Sequence, residues 1–380
     1  MDVPDVVVVG GGIAGASVAF ELAASRSVVL LEAEPVLARH ATARSAATWI
    51  PGHGVDVVRA LITASGPRFL QLAAELDAPP LLAPRPVLWV AVDAPGEREL
   101  AALLAERAGE PDAPVPVEPA EARRRCPALA PGRIRAAGLI EHAADIDTDA
   151  LHQAYVRGLC HRGGQVRTGA PVTALRRDGI GWRVEAGGEV LAAAAVVDAA
   201  GAWADEVAAL AGVPRLGLVA LRRTIALARV PEPSRLRCPD GRLPMVVEVG
   251  EGFYFKSEGD DLLVSPGDET PAEPGDARPD ERDVAAALER VEAVTALGLR
   301  SVRTSWAGLR SFVADRRPVV GAWPDDPGFW FVAGQGGSGI ETAPALAAVA
   351  AAVITGCPPP EDVPFAPAAL APNRFTPTVA

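Results

Sequence analysis

The stretch Val6-Val7-Val8-Val9-Gly10-Gly11-Gly12-Ile13-Ala14-Gly15 decides how this chain folds. Four consecutive valines make an apolar run short enough for a strand buried on both faces. Gly10, Gly12 and Gly15 follow at the G-x-G-x-x-G spacing. In that pattern the first glycine allows a tight turn, the second lets the backbone approach a pyrophosphate, and the third lets a helix pack closely on its strand. Ile13 and Ala14 lie in the same turn, ahead of a helix that continues through Ala16 to Ala24. The N-terminal N–H groups and dipole of that helix favour phosphate charge. A second strand, Val28-Val29-Leu30-Leu31, ends in Glu32, 22 positions after Gly10. An acidic residue there is placed to accept hydrogen bonds from adenosine ribose hydroxyls. Strand, glycine turn, helix, strand and terminal acid, in this order, read as a dinucleotide-binding unit.

At 380 residues the chain is longer than one hydrophobic core usually serves, so two domains are expected. Its 36 basic and 48 acidic residues leave a net charge of −12. That balance argues against nucleic acid or an anionic membrane surface as a general partner. Cys126, Cys160, Cys238 and Cys357 show no C-x-x-C spacing, and with five scattered histidines they define no metal site. No signal-peptide pattern precedes the first strand, and the apolar run from Ala343 to Ile354 is too short to cross a bilayer. The expectation is a cytoplasmic protein without a transmembrane segment.

Outward from the first unit, Val87 to Val92 reads as a strand, Pro95 to Glu110 as a surface helix and Pro111 to Pro119 as a loop. Thr148 to His161 has helical spacing, and Val196-Val197-Asp198 is a strand running into a small-residue turn around Gly201. Alternating runs at Thr224 to Ala228, Met245 to Val249, Phe253 to Lys256 and Leu262 to Ser265 predict a mainly antiparallel sheet. A second glycine-rich turn, Gly334-Gln335-Gly336-Gly337-Ser338-Gly339, opens another helix. The predicted class is α/β: a discontinuous Rossmann-like cofactor domain (1–78, 139–215 and 305–380) plus an α+β substrate domain (79–138 and 216–304).

With these pieces in place the chain resembles the D-amino-acid oxidase superfamily of FAD-dependent oxidoreductases, most of all the bacterial D-arginine and other D-amino-acid dehydrogenases. The words that carry the likeness are Gly12-Ile13-Ala14-Gly15-Ala16-Ser17, Arg44-Ser45-Ala46-Ala47, Pro84-Arg85-Pro86, Ala144 to Gln153, Trp306 to Asp315 and Gln335-Gly336-Gly337. The resemblance implies FAD, held non-covalently because no cysteine lies in the motifs facing the flavin. Gly10, Gly12, Gly15 and Glu32 would hold the ADP half, with Val172 and Gly201 on its adenine side. Arg44, Ser45 and Ala46 would sit beside pyrophosphate and flavin, and Gly336, Gly337, Ser338, Gly339 and Ile340 against the flavin. Arg222, Arg310 and Tyr254 would clamp a substrate carboxylate, a role that suits the bidentate guanidinium fork.

Departures from that pattern bear on the substrate. The arginine-handling relatives carry a glutamate where this chain has Val87, followed by Leu88 and Trp89. A buried guanidinium without a counter-charge costs several kcal/mol, about 3–5. The resemblance therefore implies an uncharged, apolar or aromatic D-amino acid, oxidised at Cα to an imino acid that hydrolyses to a 2-oxo acid and ammonia. Thr48, His53 and Glu341 replace a histidine, a tyrosine and a glutamine in the same pocket. Glu341 reads equally as an amine contact or a cap of its own helix. Lys256 reads either as a flavin-side group promoting reaction with oxygen or as a solvated strand-end lysine; the electron acceptor is open. Glycine, sarcosine or other N-alkyl amino-acid oxidation, a biosynthetic flavoprotein acting on a specialised amino acid, and a flavin-binding partner protein without turnover are the alternatives.

Overall fold

The valine run is buried on both faces because it lies inside a six-stranded sheet. In the computed structural model, which describes residues 3–110, 112–238 and 241–375, the strand order is Val319–Gly321, Phe329–Ala333, Ala195–Asp198, Val6–Val9, Val28–Leu31, Gln165–Arg167. All neighbours are parallel except the Val319–Gly321 edge strand. Side chains alternate across a strand. Val6 and Val8 accordingly pack with the helices Ile13–Leu22, Thr148–His161 and Ala343–Thr355. Val7 and Val9 pack on the other side against Trp182 and Val184 of a three-stranded antiparallel sheet, Val172–Asp178, Gly181–Ala186 and Glu189–Ala193.

Gly15 shows why the motif needs its third glycine. A Cβ there would lie 1.8 Å from the carbonyl oxygen of Gly10, so only hydrogen lets the first helix reach its strand.

A nine-stranded sheet forms the second layer system. It runs Thr270–Pro271, Val219–Arg229, Asp261–Ser265, Tyr254–Glu258, Met245–Glu248, Val87–Ala91, Ala136–Ile140, Val115–Val117, with Val302–Phe312 also paired to Val219–Arg229. Its pairs are antiparallel except Met245–Glu248 with Val87–Ala91. One face, through Leu88, Val90, Ala226, Val246 and Phe255, packs with the helix Glu281–Thr295. The other face, through Trp89, Ile225, Met245, Val247 and Tyr254, looks toward the first domain.

Three readings of the sequence shift. The strand Val302–Phe312 belongs by hydrogen bonding to the nine-stranded sheet, so the return to the cofactor sheet falls after it and not at residue 305. The surface helix is Ala94–Glu106, shorter than Pro95 to Glu110. The stretch read as a loop contains the edge strand Val115–Val117. Residues 1–2, 111, 239–240 and 376–380, which the expected domain boundaries include, lie outside the described residues.

Candidate active site

A cavity of ≈ 420 Å³ runs from the end of the strand Val28–Leu31 to the second glycine turn. At one end Glu32 anchors the local backbone: its carboxylate accepts from Gly11 N at 2.7 Å and Glu34 N at 2.8 Å. Gly10, Gly12, Ile13 and Ala14 line the middle. Val172 and Gly201 border it too, as does Trp203, whose ring lies 4.7 Å from the His40 ring. Arg44, Ser45 and Ala46 form the next stretch of wall. The Arg44 guanidinium donates to the carbonyls of Ala277 and Ala307, both at 3.0 Å, and pairs with Asp276, tying this wall to the second sheet. Gly336, Gly337, Gly339 and Ile340 close the far end.

A dinucleotide fits these residues. The elongated cavity begins at a glycine turn and a helix N-terminus whose cap residue, Gly12, has no side chain, with Thr42 Oγ1 accepting from Ile13 N at 3.0 Å. It ends at Gly337, where a Cβ would come within 2.9 Å of Arg310 Nη1. Two expected contacts differ. Gly15 packs helix on strand behind the cavity wall, and Ser338 is buried in the turn, where its carbonyl accepts from Thr342 Oγ1; neither lines the cavity.

A smaller chamber of ≈ 90 Å³ adjoins the large one, sharing Arg223, Arg310 and Gly337 as walls. Thr48, His53, Trp89, Tyr254 and Glu341 also line it. Arg310 makes no hydrogen bond or ion pair with another described residue. Burial, then the nearby Arg223 charge, lower its pKa, opposed by Tyr254, Glu251 and Glu269. Tyr254 Oη and Thr48 Oγ1 are buried without partners. Buried polar groups in a native fold nearly always find partners, and leaving one unmade costs about 1–3 kcal/mol. An orphan hydroxyl and an unpaired guanidinium on one chamber are the marks of a site for an anionic group.

Arg222 is not part of it. Cross-strand partners share a face. Leu221 opposes Arg310 and Arg223 opposes Gly308, which puts Arg223 and Arg310 on the chamber side and Arg222 on the other. Arg222 donates to Asp283 of the helix Glu281–Thr295 at 2.7 Å. Arg223, missed in the sequence, is held by the Asp268 carbonyl at 2.8 Å and by Glu269. Val87 shares the face of Trp89 but is fully buried and lines neither cavity.

Nor is the chamber without acidic groups, as Val87 had suggested. Glu251, at the turn between Met245–Glu248 and Tyr254–Glu258, lines it together with Glu341. His53 lies between the two carboxylates, Nε2 3.5 Å from Glu251 and Nδ1 3.6 Å from Glu341. Burial acts to lower its pKa, but the two carboxylates prevail and raise it to about 10. The hydrogen bond from His53 holds the Glu251 carboxyl down at about 2 against its own burial. Glu341 does not cap its own helix; its Oε2 accepts from Ile50 N at 3.1 Å.

Lys256 does share the face of Tyr254, but its Nζ donates to the Ala46 carbonyl at 2.6 Å and to Asp145 at 2.7 Å and lines neither cavity. Burial lowers its pKa, opposed chiefly by Asp145. The four cysteines are free, and none lines either cavity. No helix among the described residues is long and apolar enough to cross a membrane.

An elongated cavity at a glycine-turn sheet, adjoining a chamber that holds Arg223 and Arg310 with Glu251 and Glu341, fits a flavoprotein oxidoreductase. The chain belongs to the FAD dependent oxidoreductase family called DAO, whose profile matches residues 5–353, and FAD is its cofactor. It is 24% identical over 243 residues to the mitochondrial sarcosine dehydrogenase of Homo sapiens, a match covering 59% of this chain and 25% of that protein. The chain thus corresponds to about a quarter of that relative. Its fold matches glycine oxidase from Geobacillus kaustophilus with a TM-score of 0.84 at 22% identity, over 98% of both chains. It matches L-proline dehydrogenase from P. horikoshii with a TM-score of 0.85 at 20% identity, again over 98% of both.

Proposed function

We propose that the protein oxidises a small amino acid, primary or N-alkylated, whose carboxylate pairs with Arg310 and Tyr254 where the two cavities meet. The observation that carries this reading is the half-buried, unpaired Arg310 sharing a chamber with the orphan Tyr254 hydroxyl. Bound in the large cavity, FAD supplies the two-electron acceptor for the Cα–H bond. The chain's part is to orient the substrate and keep water from the reacting carbon. The Arg310 fork fixes the carboxylate, and Trp89 with Met245 and Val247 walls off the far side. The imino product then adds water and releases a 2-oxo acid with ammonia or an alkylamine.

The size of the chamber supports a small substrate. At ≈ 90 Å³ the chamber is smaller than an engineered cavity of about 150 Å³ that takes up benzene. A glycine-like or N-methyl substrate fits better than the aromatic one expected from Trp89, whose ring is part of the wall. D-arginine is disfavoured by volume and not by a missing carboxylate. The names of the structural neighbours, a glycine oxidase and an L-proline dehydrogenase, are compatible with a small substrate, achiral or L.

The test is anaerobic mixing of the yellow protein with glycine, sarcosine and the D and L forms of alanine, proline, phenylalanine and arginine, following flavin absorbance. Small substrates should bleach it, phenylalanine and arginine little. Arg310→Met should retain flavin and slow bleaching by at least about 100-fold, the effect of leaving a carboxylate unpaired at about 3 kcal/mol. Fast bleaching by arginine would overturn the size argument. No bleaching by any of them would favour a flavoprotein without amino-acid turnover.

A further inference from the structure

We propose that Glu341 receives the substrate amine and takes its proton, so that the chamber binds a zwitterion and carries its own base. This rests on the amino-acid reading above. Glu341 is buried, its side chain only 7% exposed. One oxygen is fixed by the Ile50 N–H, and the other has only the long 3.6 Å approach of His53 Nδ1. A buried carboxylate with one oxygen held and one open to a small chamber is a built acceptor. Glu341 and Thr48, whose Oγ1 is also without a partner, line the same ≈ 90 Å³ chamber as Arg310, so a ligand anchored on Arg310 has its α-amino group among these side chains.

The charges around Glu341 complete the case. His53 faces it from the turn at residues 51–54, Glu251 faces His53 from its own hairpin turn, and Arg223, Arg310 and Tyr254 line the sheet side. Glu251, His53 and Glu341 together carry one net negative charge when His53 is protonated. On the sheet side Arg223 shares Glu269 with Arg316, and Arg310 has no carboxylate partner among the described residues, so that side is net positive. A dipolar ligand with carboxylate and ammonium matches this division. A neutral amine or a plain carboxylic acid does not.

The chemistry balances. An ammonium has no lone pair with which to build a C=N bond. One N–H proton passes to Glu341 Oε1; the nitrogen lone pair then forms the second C–N bond as the two electrons and the hydrogen of Cα–H leave to the FAD. The carboxylic acid so formed can return its proton to water with the departing product.

Glu341→Gln tests this, because the amide oxygen retains the bond from Ile50. Two non-oxidisable ligands, 2-aminoisobutyrate (no hydrogen on Cα) and 2-methylpropanoate (no amine), are titrated against holoenzyme by their perturbation of the flavin spectrum. Wild type should prefer the amine-bearing ligand at least 10-fold, and Glu341→Gln should lose that preference while still binding 2-methylpropanoate. Anaerobic bleaching by glycine should be at least 10-fold slower in Glu341→Gln near neutral pH and recover as pH approaches the substrate amine's own ionisation. If wild type is bleached and the variant keeps both the preference and the pH profile, the role of Glu341 is overturned while the oxidation reading stands. If neither ligand perturbs wild type and no amino acid bleaches it, both fall together.

Discussion

The dinucleotide cradle and the substrate chamber are built in opposite ways. The cradle comes mostly from short contiguous words: Gly10 to Ala14, Arg44 to Ala46, and Gly336 with Gly337. The chamber takes Thr48 and His53 from one segment, Trp89, Arg223, Tyr254 and Arg310 from four strands, Glu251 from a turn and Glu341 from the turn that precedes the helix Ala343–Thr355. A single hydrogen bond in its wall, Ile50 N to Glu341, joins residues 291 apart. The cradle's geometry is therefore imposed by local backbone, and that of the chamber by which strand lies beside which.

The sharpest way to break this contrast is to strike the cradle where backbone meets backbone. Gly15→Val places its Cβ against the Gly10 carbonyl, which cannot step aside without pulling the strand Val6–Val9 with it. The expected outcome is colourless or insoluble protein, read by flavin content of the purified chain and by its thermal transition. A yellow variant with unchanged Tm would show that the turn has slack that the geometry denies it.

A smaller effect, with more resolving power, comes from the adjacent arginines. Arg223→Met removes a chamber charge and should reduce kcat/KM by about 10- to 100-fold, or about 1.4–2.8 kcal/mol, with flavin retained. Arg222→Met should leave kcat/KM within about threefold and lower stability by no more than about 1 kcal/mol, because its pair with Asp283 is partly solvated. The reverse ranking would mean that the strand Val219–Arg229 is paired one residue out of register.

That pair also marks where the sequence could be read and where it could not. Gly10, Glu32 and Gly337 are legible as cavity-lining positions because each is set by local backbone, and all three line the large cavity. Arg222 and Arg223 are side by side, and only the pairing with Arg310, decided by the register of two distant strands, chooses between them. Val87 fails for a related reason: its face is right, but Met245 and Ile140 close over it as cross-strand neighbours. Glu251 carries almost no signal of its own, since nothing in a surface hairpin turn announces that it folds over a chamber. The only hint was its neighbour Tyr254, three residues on.

Third in size is the His53 bridge between chamber segments. With a folded pKa of about 10 against an ordinary 6.5, His53 contributes stability that is fully present below pH 6.5 and lost as pH rises through 10. The lowered Glu251 describes the same ion pair from its other side: that contribution is present above pH 4.5 and lost as pH falls through about 2, and the two are not summed. Wild-type Tm should therefore decline between pH 7 and 10 more steeply than that of His53→Gln. Parallel curves would mean that the imidazole is neutral and the chamber wall carries two uncompensated carboxylates.

The smallest effect belongs to the cradle again and titrates in a different window. Asp198 ends the strand Ala195–Asp198 beneath the Gly201 turn; Oδ1 accepts from Ala200 N at 3.1 Å, and Oδ2 is buried without a partner. Burial pushes its pKa well above 3.8; the Ala200 N–H opposes this, and the Asp205 charge adds to it. A raised carboxyl gives stability that is fully present below pH 3.8 and drains away as pH rises toward the folded value, because the unfolded chain ionises first. The substitution Asp198→Asn would preserve the bond from Ala200 N, now to the amide oxygen, and remove that proton linkage. The Tm difference between Asp198→Asn and wild type should thus grow in favour of the variant from pH 5 to pH 8, by about 1 °C for each kcal/mol. A difference that stays flat across that range would mean that Asp198 is ionised in the fold, and that a cation or ordered water reaches Oδ2 beneath the Gly201 turn.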